Sequence, residues 1–107
     1  PIVELIEGIP NTGQLMGEDA IIGYTFMGTE GETITVVYQR VRGESELDLW
    51  LQSPAKDMIF TSSMLLAHKL SAELILPEDG EYTIFLTLTE RPQVADAVFM
   101  LDVMREQ

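Results

Sequence analysis

Asp48, Trp50 and Gln52 alternate with Leu47, Leu49 and Leu51 in the run from Glu46 to Pro54, and here the chain concentrates residue types suited to recognition. A strand sends successive side chains to opposite faces. Three leucines therefore enter a core, while Asp48 and the only tryptophan stand on the other side. Indole is a large, stiff contact surface that suits a sugar ring or a flat protein partner. The candidate contact face is Trp50 with Asp48, and Tyr38 joins it if the strands containing Ile34 and Leu47 pair in the right register. The competing reading is a tryptophan covered by the chain's own loop or by an adjoining domain.

Catalytic parts are missing. Nucleophilic catalysis needs an activated nucleophile with a base in hydrogen-bond reach. The single histidine, His68, lies in a leucine-rich stretch beside Lys69, where packing or surface exposure is its ordinary role. Ser62, Ser63 and Ser71 lie nearby in sequence, but none sits on a nucleophile elbow. With one histidine and no cysteine, a transition-metal site lacks ligands. Gly8, Gly13 and Gly17 are scattered and form no phosphate-binding fingerprint. Paired carboxylates remain: Glu44, Glu46 and Asp48 share one strand face with Trp50, and Glu78, Asp79 and Glu81 form a second group. A glycosidase-like pair needs a deep cleft, which a small sandwich does not offer. Calcium takes oxygen ligands in flexible geometry, but no loop carries an Asp-x-Asp-x-Asp pattern. No cofactor is implied, calcium stands as the lesser alternative, and the chain reads as a non-enzyme.

The totals bound the partners. Eighteen acidic residues against six basic ones give a formal charge of -12, so nucleic acid and anionic membrane are excluded. The acids are dispersed, as on a solvated surface, with a cation or a basic partner as the sharper reading. At 107 residues the chain makes one domain with a single core. No apolar run approaches the ~20 residues that cross a bilayer. The chain opens on Pro1 without a signal-peptide pattern, as expected of a processed product or an excised domain.

The elements that must position Trp50 are strands. Ile34, Val36 and Tyr38 alternate with Thr33, Thr35, Val37 and Gln39. Tyr82, Ile84, Leu86 and Leu88 alternate with Thr83, Phe85, Thr87 and Thr89. Phe99, Leu101 and Val103 alternate with Met100, Asp102 and Met104. Weaker strands are expected around Ile2 to Glu7, Gly13 to Met16, Ile22 to Met27, Ile59 to Thr61 and Ala72 to Leu76. Gly28-Thr29-Glu30-Gly31 and Pro77-Glu78-Asp79-Gly80 each end on a glycine able to take positive φ, which predicts hairpins or tight corners. Met64 to Leu70 has helical character enough for a single turn. Seven or eight short strands of this kind predict an all-β, antiparallel, jelly-roll-like β-sandwich. Residues 1–11 are expected as a linker or edge strand, because Gly8 and Pro10 interrupt them, and residues 12–107 as the sandwich.

In order along the chain, several segments resemble the bacterial pre-peptidase C-terminal domain family. They are Glu18-Asp19-Ala20 with Gly23-Tyr24-Thr25-Phe26, Gly31-Glu32-Thr33-Ile34-Thr35-Val36, Leu47-Asp48-Leu49-Trp50-Leu51 closed by Ser53-Pro54, Leu76 to Ile84, and Phe99 to Val103. The resemblance implies a jelly-roll-like sandwich from a secreted bacterial protein, found beside peptidases and not itself catalytic. Some relatives bind collagen or polysaccharide, and some bind calcium. The turn Ala55-Lys56-Asp57 departs from the Asn-Gly or Asp-Gly pair common there, and Glu4 and Glu7 are the only acids before Glu18, so calcium ligands are not carried over. The expectation is an extracellular or cell-surface accessory module that contacts a polysaccharide, an extracellular protein or other domains of its parent. The alternative is a structural spacer with no diffusible ligand.

Overall fold

The inward residues of the strands are predominantly apolar and the outward ones mixed, and in the computed structural model this pattern folds into two facing sheets. The structure describes residues 2–16, 21–43, 47–64, 69–88 and 96–105. Among them are nine strands: β1 (Ile2–Glu4), β2 (Asn11–Met16), β3 (Ile21–Gly28), β4 (Thr33–Arg42), β5 (Leu47–Gln52), β6 (Met58–Met64), β7 (Lys69–Ile75), β8 (Gly80–Leu88) and β9 (Asp96–Arg105). The five-stranded sheet runs β1-β3-β8-β5-β6 and the four-stranded sheet β2-β9-β4-β7.

The antiparallel pairs are nested: β5 with β6, β4 with β7, β3 with β8, β2 with β9. This is a long double hairpin wrapped over two sheets, the jelly roll expected from sequence. Nine strands is one more than the seven or eight expected, and β1, within the weaker strand expected around Ile2 to Glu7, adds to β3 in parallel.

The core lies between the sheets. From the five-stranded sheet come Tyr24, Phe26, Leu47, Leu49, Leu51, Tyr82, Ile84 and Leu86, and from the other Ile34, Val36, Tyr38, Phe99, Leu101 and Val103, all buried. Tyr24 meets Phe99 edge-on across the sheets at 6.2 Å, and Tyr38 stacks on Phe99 at 5.9 Å.

The two glycine turns are corners between sheets rather than hairpins within one, and they are stitched together. Gly31 N–H donates to Leu76 O (2.8 Å) and Leu76 N–H to Glu32 O (2.9 Å). Glu30 N–H donates to Asp79 Oδ1 (2.7 Å). Tyr82 closes the second corner, donating its hydroxyl to Glu78 O at 2.5 Å and accepting from Glu78 N–H at 3.1 Å. The β5–β6 hairpin uses Lys56 at φ 72°, the left-handed conformation that a glycine would take more easily, with Lys56 N–H donating to Ser53 O at 2.9 Å.

Two expectations are corrected. Tyr38 does not join Trp50: β4 pairs with β7 and β9, and β5 with β6 and β8, so the two residues lie in different sheets. Tyr38 is also wholly buried, as its alternation with Ile34 and Val36 requires. Of the segment expected as a helical turn, Met64 ends β6 while Lys69 and Leu70 begin β7. Residues 65–68 lie outside the described residues.

Leu49 is fully buried, so Leu49→Ala is expected to destabilise the fold by roughly 2–5 kcal/mol. Trp50→Ala is expected to cost less. Equal costs in denaturant titrations would contradict the inside–outside assignment of β5.

Candidate functional site

Three leucines of β5 point into the core, so Asp48, Trp50 and Gln52 emerge on the outer face of the five-stranded sheet, each half-buried. Register places Trp50 opposite Phe85 of β8 and opposite Thr61 of β6. The two rings stack with centroids 5.1 Å apart and planes 22° from parallel, a favourable offset pair. Phe85 in turn lies opposite Gly23, and Gly23 opposite Ile2. One transverse row therefore runs Ile2, Gly23, Phe85, Trp50, Thr61.

Gly23 is what lets this row close. A Cβ there would lie 2.7 Å from Ile2 Cδ1 and 3.1 Å from Phe85 Cε1, so both side chains fold over the bare backbone. The covering of a sheet glycine by an aromatic ring is a known stabilising device. Phe85 is thus held between Gly23 and Trp50, and it orients the indole.

The rows on either side are polar. Thr87 lies opposite Asp48, and Thr83 opposite Gln52. Asp48 and Thr87 both have interaction partners. The result is an aromatic pair framed by a carboxylate, an amide and hydroxyls, a surface suited to recognition on an open face. Glu44, Glu46 and His68 lie outside the described residues. Ser62 and Ser71 fall on β6 and β7, in different sheets, so they form no nucleophile cluster. Among the described residues no group of three or more His, Asp or Glu is placed to hold a metal ion.

Trp50 and Asp48 stand out in the sequence, whereas Phe85 does not. The signal was present, because Phe85 alternates with Ile84 and Leu86 and so belongs on the outer face. Its adjacency to Trp50 depends on the β5–β8 pairing, which is non-local.

A second feature lies away from Trp50. A groove of about 880 Å³ runs beside β1, lined by Val3 to Glu7, Thr25 to Met27, Glu81 and Arg105. Arg105, at the end of β9, holds its wall together. Its Nε donates to Glu7 Oε1 at 2.9 Å, and its terminal nitrogens reach Glu7, Glu32 and the Met27 carbonyl. The hydrogen bond from Arg105 holds the Glu32 carboxyl below its usual range.

Neither a protein-family model nor a curated protein sequence matches the chain. Solved structures do. The pre-peptidase C-terminal domain of collagenase from Bacillus anthracis superposes with a TM-score of 0.76 at 15% identity, over 96% of this chain and 94% of that one. The fold is that of a pre-peptidase C-terminal domain. It is shared by two PliG proteins, periplasmic inhibitors of g-type lysozyme. That of Aeromonas hydrophila has a TM-score of 0.71 at 18% identity, covering 98% of this chain and 96% of its own. That of Salmonella Typhimurium has a TM-score of 0.67 at 16% identity, covering 98% of both chains. At these identities what is shared is the fold.

Because the Glu32 carboxyl is held low, its ion pair stabilises the fold above its usual pKa of 4.5 and is lost as pH falls through the lowered value. Glu32→Gln is expected to be less stable at neutral pH by at most about 1 kcal/mol, since the pair is partly exposed. That difference should vanish in strong acid. An equal deficit at neutral and acid pH in thermal melts would contradict the pairing.

Proposed function

We propose that this protein is a non-catalytic accessory module of a larger secreted bacterial protein, and that the outer face of its five-stranded sheet contacts a glycan or protein surface through Trp50. The observation that carries this reading is the half-buried Trp50 stacked on Phe85, with Asp48, Gln52 and Thr61 around it. An indole kept partly in water on a flat sheet offers a large apolar surface to a partner, and its rigidity limits the entropy lost on contact. The site is an open face, without the enclosed cleft in which carboxylates do acid–base work.

Similarity of fold supports the same class. One neighbour is a domain of a collagenase, and others are periplasmic inhibitors that act on a lysozyme. An extracellular or cell-surface location, with an extracellular protein, a polysaccharide or other domains of the parent as partners, follows from the same reading. The spacer reading has one observation in its favour: the row continues to Ile2 and its neighbour Ile21, 61% and 41% exposed, a surface that an adjoining domain would cover.

Binding to immobilised collagen and to a panel of insoluble polysaccharides, followed with the native chain and with Trp50→Ala, tests the proposal. The expected result is retention on at least one matrix and a loss of about tenfold or more in affinity for Trp50→Ala, with its fold intact by circular dichroism. Retention by the variant equal to the native chain, or binding to no matrix, would remove Trp50 as the contact residue.

A further inference from the structure

β1 is the edge strand at one end of the five-stranded sheet. Leu5 N–H donates to Thr25 O at 2.8 Å, which fixes the direction of every peptide group in this parallel pair. The N–H and C=O of Val3 address β3, so those of Ile2 and Glu4 address the open edge of the sheet. The next residue of that parity, Ile6, is already satisfied there. The Asn11 side chain accepts from its N–H at 3.0 Å and donates to its C=O at 2.8 Å, as the peptide group of a paired strand would. Asn11 thus occupies one position of the edge, and among the described residues no backbone group pairs with the positions at Glu4 and Ile2.

The surroundings of that edge are apolar and acidic. Val3 and Ile6, 44% and 61% exposed, line grooves on both sides of β1, and Ile9 lines the second, of about 540 Å³, between β1 and β2. Glu4, Glu7 and Glu81 line the first groove, where Arg105 is the basic residue and is already engaged by Glu7 and Glu32. The whole chain carries a formal charge of -12. A second copy would bring the same acids to the same edge and be repelled, whereas a basic segment would be attracted.

We propose that the open edge of β1 captures an extended segment of a partner protein that alternates apolar and basic residues. Its backbone pairs with Ile2 and Glu4, its apolar side chains extend the face of Val3, and its basic ones lie on the opposite face beside Glu4. This is strand addition, in which main-chain hydrogen bonds supply affinity and alternate side chains supply selectivity. It is separate from the Trp50 face.

The probe is a short, dye-labelled synthetic peptide alternating valine and lysine, with a valine–glutamate peptide as its counterpart, added to the intact chain and followed by fluorescence anisotropy. Binding of the lysine peptide alone is expected, with slowed hydrogen exchange at the Glu4 amide. Glu4→Pro removes that N–H without disturbing the pairing to β3, and should weaken binding by about tenfold. Glu4→Lys keeps the backbone and should weaken it through charge, while Trp50→Ala should leave it unchanged. Equal binding of both peptides, equal binding by Glu4→Pro, or no binding of the lysine peptide would overturn the proposal.

Discussion

Leu47, Leu49 and Leu51 have no exposed surface, and strand geometry then leaves Asp48, Trp50 and Gln52 nowhere but the opposite face. Burial of each such side chain contributes on the order of 1.5–3 kcal/mol, so a slip of one residue would forfeit the whole row. The same constraint acts on Tyr82, Ile84 and Leu86, which fixes Phe85 outward beside Trp50. Two strands whose inner faces are locked by the core thus place an aromatic pair on the outside. The outward placement of this aromatic pair is a by-product of core packing and is as secure as the core itself.

The chain must cross repeatedly between two sheets to complete that core, and the corners make this possible. The turns at Gly31 and Gly80 both take positive φ and lie side by side, joined by backbone bonds and by Asp79. The far end of β9 is tied to the N-terminal segment by Arg105, which bridges residues 98 positions apart in the chain. That anchor and the Asn11 clamp hold β1 against β3, and among the described residues no strand pairs with its outer edge.

Much of the architecture was legible in the sequence because one face of most strands is buried. The alternation in Thr33–Arg42, Leu47–Gln52 and Gly80–Leu88 reports inside and outside directly. What alternation does not encode is which strand lies beside which. Alternation therefore admits Tyr38 beside Trp50 through an assumed register, although the spacing of Tyr38 from Ile34 and Val36 puts it in the core, and alternation carries no sign that Phe85 is the residue that touches Trp50. A positive-φ glycine serves a hairpin and a sheet-to-sheet corner alike, so the turns were located but their type was not. Arg105 with Glu7 and Glu32 carries no local signature at all, since that ion pairing exists only after the termini meet.

The most direct measurement is the emission spectrum of Trp50 with acrylamide quenching, an unmixed signal because the chain has one tryptophan. A half-buried indole stacked on Phe85 should emit between the native-core and fully unfolded limits and be quenched to an intermediate degree. Phe85→Leu should shift both toward the unfolded limit while the fold is retained. A blue-shifted, unquenched signal indifferent to Phe85 would place Trp50 in the interior and contradict the contact face.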